Sequence, residues 1–186
     1  MQRTHEDIQD ELLVLECQDG DEAALRVLIG RWQPRLAGLA WRLTADREGA
    51  RDVVQDAWLA IIRGIKRLDD PARFRSWAFR IVTNRCVDWT RRRTVRRGAN
   101  VALADARRHD EPAAGASTGD RWEADPVLRV MAELPDDQRA ILALHYLEGM
   151  GIAEIAGVLR VPAGTVKSRL YHARNGLKRE LERNEP

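Results

Sequence analysis

The sequence predicts an all-α fold: two small helical domains joined by a flexible linker, the second domain carrying a helix-turn-helix. Three observations lead there. Apolar residues recur at three- and four-residue steps along most of the chain. Seven prolines and few β-branched runs in 186 residues leave room for long helices. One stretch, Gly98 to Asp125, is rich in Ala, Gly and charge but has no sustained apolar period, the composition of a linker. The expected division is residues 1–96, a linker over 97–124, and residues 125–186.

In the first part, Ala24, Leu25, Leu28, Ile29, Trp32, Leu36, Leu39 and Leu43 lie on one helical face, as a single helix or two helices bent near Pro34 would require. Val53, Val54, Ala57, Trp58, Ile61, Ile62 and Ile65 mark the next helix, and Asp69-Asp70-Pro71 ends it and starts another. The third helix is expected from about Pro71 to Arg93. Phe74, Trp77, Ala78, Ile81, Val82 and Cys86 form its apolar face, while Arg80, Asn84, Arg91 and Arg92 turn away.

The second part begins near Asp125-Pro126. Pro135, Asp136 and Asp137 suit the first turn of a helix running to about Leu147. A short helix over residues 151–159, a turn at Val161-Pro162-Ala163-Gly164 and a last helix then make the helix-turn-helix. Small Ala156 permits close helix contact, Val161 fills the angle, and Val166, Leu170, Ala173 and Leu177 supply the buried stripe. Lys167, Ser168, Tyr171, His172 and Arg174 are left facing outward.

Composition narrows the possible functions. Hydrophobic residues at 44% and charged residues at 32% describe a globular chain. No apolar run approaches the roughly 18 residues of a membrane span, and the acidic N-terminus lacks a signal peptide's layout, so no membrane insertion and a cytoplasmic location are expected. Cys17 and Cys86 lack zinc-site spacing and read as reduced thiols, so neither metal nor cofactor is expected. The net charge of +2 conceals segregation. Residues 1–25 carry eight acids against Arg3, residues 85–108 eight arginines against two aspartates, and residues 160–183 seven basic residues against two glutamates. Two separated basic regions suggest two contacts with a polyanion. A helix face bearing Lys, Ser, Tyr, His and Arg suits the major groove, where such groups reach base edges and phosphates together.

Two sets of motifs carry a resemblance. Asp52-Val53-Val54-Gln55-Asp56-Ala57-Trp58-Leu59, with Phe74 through Asn84, resembles the core-binding and promoter-melting domain of bacterial RNA polymerase sigma factors. Leu134-Pro135, Glu154-Ile155-Ala156 and Gly164-Thr165-Val166-Lys167-Ser168-Arg169-Leu170 resemble their other DNA-binding domain. With only these two domains, the chain looks like the extracytoplasmic-function (ECF) subfamily of the sigma-70 family. The resemblance covers roughly residues 20–93 and 125–182, and two motifs in the right order are far more specific than a lone helix-turn-helix.

That resemblance implies a non-catalytic subunit that binds core RNA polymerase and promoter DNA and is open to control by an anti-sigma factor. It points to Asp52, Gln55, Asp56 and Trp58 as polymerase contacts. Phe74, Trp77, Arg80, Asn84, Arg91 and Arg92 become candidates for the minus-ten element, where single-stranded DNA needs stacking surfaces and basic tracks. Thr165, Lys167, Ser168, Arg169, Tyr171 and His172 become candidates for the minus-thirty-five element. The chain departs from the family pattern at Gly151, where Ser or Thr is usual, at Arg160, where a turn glycine is common, and at Leu68-Asp69-Asp70 in the minus-ten loop.

Two other readings compete. A stand-alone dimeric helix-turn-helix regulator would explain the C-terminal half but leave the first-domain motifs without a task. A helical hydrolase would need Asp52 and Asp56 to act with His145 or His172 across the linker, and no nucleophile motif or metal-ligand set accompanies them.

Overall fold

Every described element is helical, and three long helices of the first half supply much of a core that both halves share. The computed structural model describes residues 4–104, 130–131 and 133–184. The elements are α1 (His5–Asp19), α2 (Glu22–Thr44), α3 (Arg47–Gly64), α4 (Phe74–Ala104), α5 (Asp136–Leu142), α6 (Ile152–Leu159) and α7 (Ala163–Asn184). Short 3-10 turns at Ile65–Arg67 and Pro71–Arg73 connect α3 to α4.

No apolar stripe announces α1 in the sequence. Thr4 caps it, accepting from the Asp7 N–H while the Asp7 carboxylate accepts from the Thr4 N–H at 2.9 Å. These hydrogen bonds from Thr4 pull the Asp7 pKa below its ordinary value. Val14 and Cys17 face the core while Ile8, Leu12 and Leu15 point to solvent, so the apolar residues of α1 lie on more than one face. Gly20 ends the helix at φ 98°, a left-handed conformation that glycine adopts without a Cβ clash.

Pro34 lies inside α2, which runs through it as one helix. Asp46 caps α3, accepting from the Gly49 N–H at 2.7 Å, and its second carboxylate oxygen takes a hydrogen bond from Arg93 of α4 at 2.8 Å. The Arg93 guanidinium lies over the Trp89 ring, 4.9 Å from its centroid. The start of α3 is thereby tied to the later turns of α4. Gln18 of α1 donates its side-chain amide to the Ile65 and Leu68 carbonyls at 2.9 and 2.8 Å, fixing the loop that leads into α4.

The helix expected to stop near Arg93 continues to Ala104, so the expected linker begins inside a helix. No proline interrupts residues 72–104, and a single interior glycine such as Gly98 costs only about 1 kcal/mol. Residues 105–124 of that linker lie outside the described residues.

The helix expected through Leu147 is α-helical only to Leu142. Residues 143–147 form a π turn, with the Glu148 N–H bonded to the Ala143 carbonyl at 3.1 Å. Gly151 opens α6, its N–H donating to the Glu154 carboxylate at 2.8 Å, so half of a capping box survives without a capping hydroxyl. Arg160 closes α6 at φ 55°.

The two halves share one continuous cluster of buried apolar side chains. Helix α6 packs on α4, and α5 packs on α2. Both cysteines are buried and unpaired, and burial pushes the Cys86 thiol up to about 12.

Three substitutions test this frame by thermal denaturation. A Cβ at Gly49 would overlap the Trp89 ring, so Gly49→Ala should lose about 1–3 kcal/mol. Ala45 and Arg160 both sit in the left-handed region, at φ 49° and 55°, so Ala45→Gly and Arg160→Gly should each gain about 0.5–1 kcal/mol. A lower Tm for either glycine variant would contradict the strain assigned there.

Candidate protein-binding and nucleic-acid interfaces

Three surfaces emerge from the helix geometry. The first is a groove of about 690 Å³ between α3 and α4. Asp46, Glu48, Asp52, Gln55, Asp56 and Leu59 line one side, and Arg85, Asp88, Trp89, Arg92 and Arg93 the other. Asp52, Gln55 and Asp56 recur at steps of three and four and are exposed, because Val53, Val54, Ala57 and Trp58 take the opposite face into the core. Leu59 and Ile62 extend the surface with exposed apolar area. An acidic wall ending in leucine and isoleucine suits a protein partner with basic and apolar side chains.

Trp58 does not belong to this surface. It is buried, and its indole N–H donates to the Gln33 side-chain oxygen. Its position in the apolar stripe of α3 is the physical reason.

The second surface runs along α4. Arg80, Asn84 and Arg91 share a face with Trp77, and Asn84 and Arg91 are exposed. Arg67, Leu68, Asp69, Asp70, Arg73, Ser76, Trp77 and Arg80 line a cleft of about 330 Å³ that Gly157 of α6 completes. Arg73 pairs with Asp70 at 3.3 Å and Arg91 with Asp88 at 3.3 Å; exposed pairs of this kind contribute little energy and separate readily.

Two expected members leave this surface. Phe74 is buried against Trp32, ring centroids 5.2 Å apart, and serves the core. Arg92, about 100° round the helix from Arg91, lines the α3 groove. Trp77 is half-buried, with its ring against Gly64 and 6.1 Å from Phe74.

The third surface is the outward face of α7. Val166, Leu170 and Ala173 are buried, while Lys167, Ser168, Tyr171 and His172 are exposed, with the Tyr171 and His172 rings 5.5 Å apart. Thr165 is half-buried. Arg169 is also half-buried and turned aside to Asp137 at 3.6 Å. Cations and hydroxyls near the start of a second helix match the chemistry of a recognition helix. Sequence reasoning passed over Leu59, Glu48 and Trp89 in the first groove. Exposed leucine at the margin of an apolar stripe was the available signal.

Among the described residues, no group of three His, Cys, Asp or Glu side chains could hold a metal ion. His145 bonds through Nδ1 to the Met150 carbonyl at 3.0 Å and does not line the groove that holds Asp52 and Asp56. No described helix is long and apolar enough to cross a membrane.

Two family models match the chain. Residues 28–96 match the family model for sigma-70 region 2, and residues 124–177 that for sigma-70 region 4. The chain is 30% identical to the RNA polymerase sigma-H factor of Pseudomonas aeruginosa, over 94% of each chain. It is 27% identical to the ECF RNA polymerase sigma-E factor of Haemophilus influenzae, over 95% of this chain and 97% of that one. Among solved structures it is similar to CnrH in complex with the cytosolic domain of CnrY, with a TM-score of 0.71, 26% identity, and coverage of 95% and 99% of the two chains. It also shares its fold with the sigma factor RpoE of Bartonella quintana, solved with the anti-sigma factor NepR, at a TM-score of 0.68 and 22% identity over 87% and 98% of the two chains.

The division between surface and core on α3 is directly testable by denaturant titration. Asp56→Ala should leave stability within about 0.5 kcal/mol, whereas Trp58→Ala should cost about 3–5 kcal/mol. Comparable losses would show that Asp56 is also structural.

Proposed function

Because the chain belongs to the extracytoplasmic-function subfamily of the sigma-70 family, we propose that it binds core RNA polymerase and directs initiation at a particular class of promoter. The observation that carries this reading is the pairing of contrasting surfaces on the two family-matched parts of one chain. The first part has an acidic groove beside a basic, aromatic helix, and the second a polar, cationic recognition face.

Residues 1–96 are assigned to polymerase binding and the minus-ten element, residues 125–186 to the minus-thirty-five element, and residues 97–124 to the connection. Asp52, Gln55 and Asp56 take polymerase. Trp77, Arg80, Asn84 and Arg91 hold the melted strand, and unstacked bases captured there shift the equilibrium towards open DNA. Lys167, Ser168, Tyr171 and His172 enter the major groove, with Thr165 and Arg169 at their flank. A bidentate base contact adds only about 1–3 kcal/mol, so tethering both parts on polymerase supplies much of the affinity. The role is binding in the cytoplasm, without catalysis. A stand-alone regulator leaves the acidic α3 groove without use.

Control by an anti-sigma factor is part of the proposal. CnrH, to which this chain is similar along nearly its whole length, was solved with the cytosolic domain of CnrY. A regulator of that kind fits here.

Run-off transcription with purified core polymerase on a promoter library tests the reading: specific new transcripts are expected, and their absence together with no core binding would refute it. Lys167→Ala with Ser168→Ala should weaken minus-thirty-five binding about tenfold or more while core binding holds. Asp56→Ala should impair core binding first. Asn84→Ala should slow promoter opening, read by permanganate footprinting, more than it weakens the closed complex; an unchanged opening rate would remove Asn84 from the melting surface.

A further inference from the structure

The two halves meet through a buried charge. Glu148 follows the π turn of the second half and is almost completely enclosed, its side chain 6% exposed. One carboxylate oxygen lies 3.2 Å from Arg35 and the other 3.6 Å from Arg42, both on α2 of the first half. Arg75 of α4 donates to the Glu148 carbonyl oxygen. Arg35 is held in place by aromatic rings, its guanidinium 4.5 Å from the Trp32 centroid and 5.6 Å from that of Phe79. Burial draws the Arg42 pKa down from its ordinary value, and Glu148 pushes it back. Three guanidinium groups of one half therefore converge on a single residue of the other.

This closed arrangement is incompatible with reading both promoter elements. Arg91, assigned to the minus-ten element, and Arg169, at the flank of the minus-thirty-five face, line one groove of about 400 Å³. Gly157 of α6 closes the cleft containing Trp77 and Arg80. On duplex DNA the two elements are about 25 base pairs apart, roughly 85 Å at 3.4 Å per step. A common groove cannot span that distance. The halves must separate for both elements to be read.

We propose that Glu148 is an electrostatic latch that holds the free chain in a closed, promoter-incompetent state without any second protein. The latch rests on the sigma-factor reading and adds to it a regulation internal to the chain. Glu148 and Arg42 are enclosed at both ends, and a pair of that kind depends strongly on both partners, because removing one leaves an uncompensated charge out of water, while the more exposed Arg35 adds a second contact to the same carboxylate. In the open form the carboxylate and the guanidinium groups recover hydration, so the latch is released without a bond being broken chemically. Polymerase would favour opening by binding the first half and drawing the second to DNA.

The test uses the full chain and two variants, Glu148→Gln and Arg35→Gln, with small-angle scattering and run-off transcription from core polymerase at limiting protein. The wild type should scatter as a compact chain, with a radius of gyration of about 16 Å. Each variant should raise that radius and increase transcript yield several-fold. Variants that remain as compact as wild type, with unchanged yield, would overturn the latch while leaving the sigma-factor reading intact. A chain that opens but yields no core-dependent transcript at any concentration would instead overturn the function on which it rests. If Glu148→Gln fails to fold, Arg35→Gln, on a more exposed partner, supplies the same reading.

Discussion

Packing around Trp32 is the interaction on which the remaining geometry depends. Its ring is buried in edge contact with Phe74 at 5.2 Å and Phe79 at 5.7 Å, which fixes both the position and the rotation of α4 against α2. Once Phe74 and Phe79 point inward, helical periodicity turns Arg80, Asn84 and Arg91 outward together. The same ring supports Arg35 and so sets the direction from which the first half approaches Glu148. A single aromatic cluster thereby aligns the basic face of α4 and the seam between the two halves.

Much of this was legible in the sequence, for a physical reason. The apolar stripes of α2, α3 and α7 are wide and regular, so the residues left over, Asp52, Gln55, Asp56, Lys167, Ser168, Tyr171 and His172, fall on solvent faces as periodicity requires. Trp58 and Phe74 show the limit of carrying over a motif: their stretches resemble functional surfaces, yet these two side chains are the ones the core takes. Periodicity already placed them on apolar faces. The separation of Arg91 from Arg92 follows the same rule, since adjacent helical residues diverge by about 100° and a run of arginines cannot serve one surface.

What the sequence concealed were features with no local signature. Helix α1 buries only a narrow face, so its apolar residues lie on two sides and the period is lost. The extension of α4 beyond Arg93 depends on the absence of a stop signal, which is weaker evidence than a stop signal itself. The charge cluster at Glu148 joins residues up to 113 positions apart, and nothing at Arg35 or Glu148 alone announces the other. Long-range ion pairs leave no periodic trace.

The π turn at residues 143–147 has a consequence for how such a chain can change over generations. A π turn holds one residue more than the α turn it replaces. Loss of one codon there would restore ordinary helix and swing everything after it by about 100°, carrying Glu148 away from Arg35 and Arg42. The recognition helix lies beyond this point and would keep its own internal arrangement of side chains. Because α5 lies before the turn and packs on α7 after it, the same loss would also break the packing that seats α7, so the inserted residue ties the seam between the halves to the fold of the second half and resists being lost.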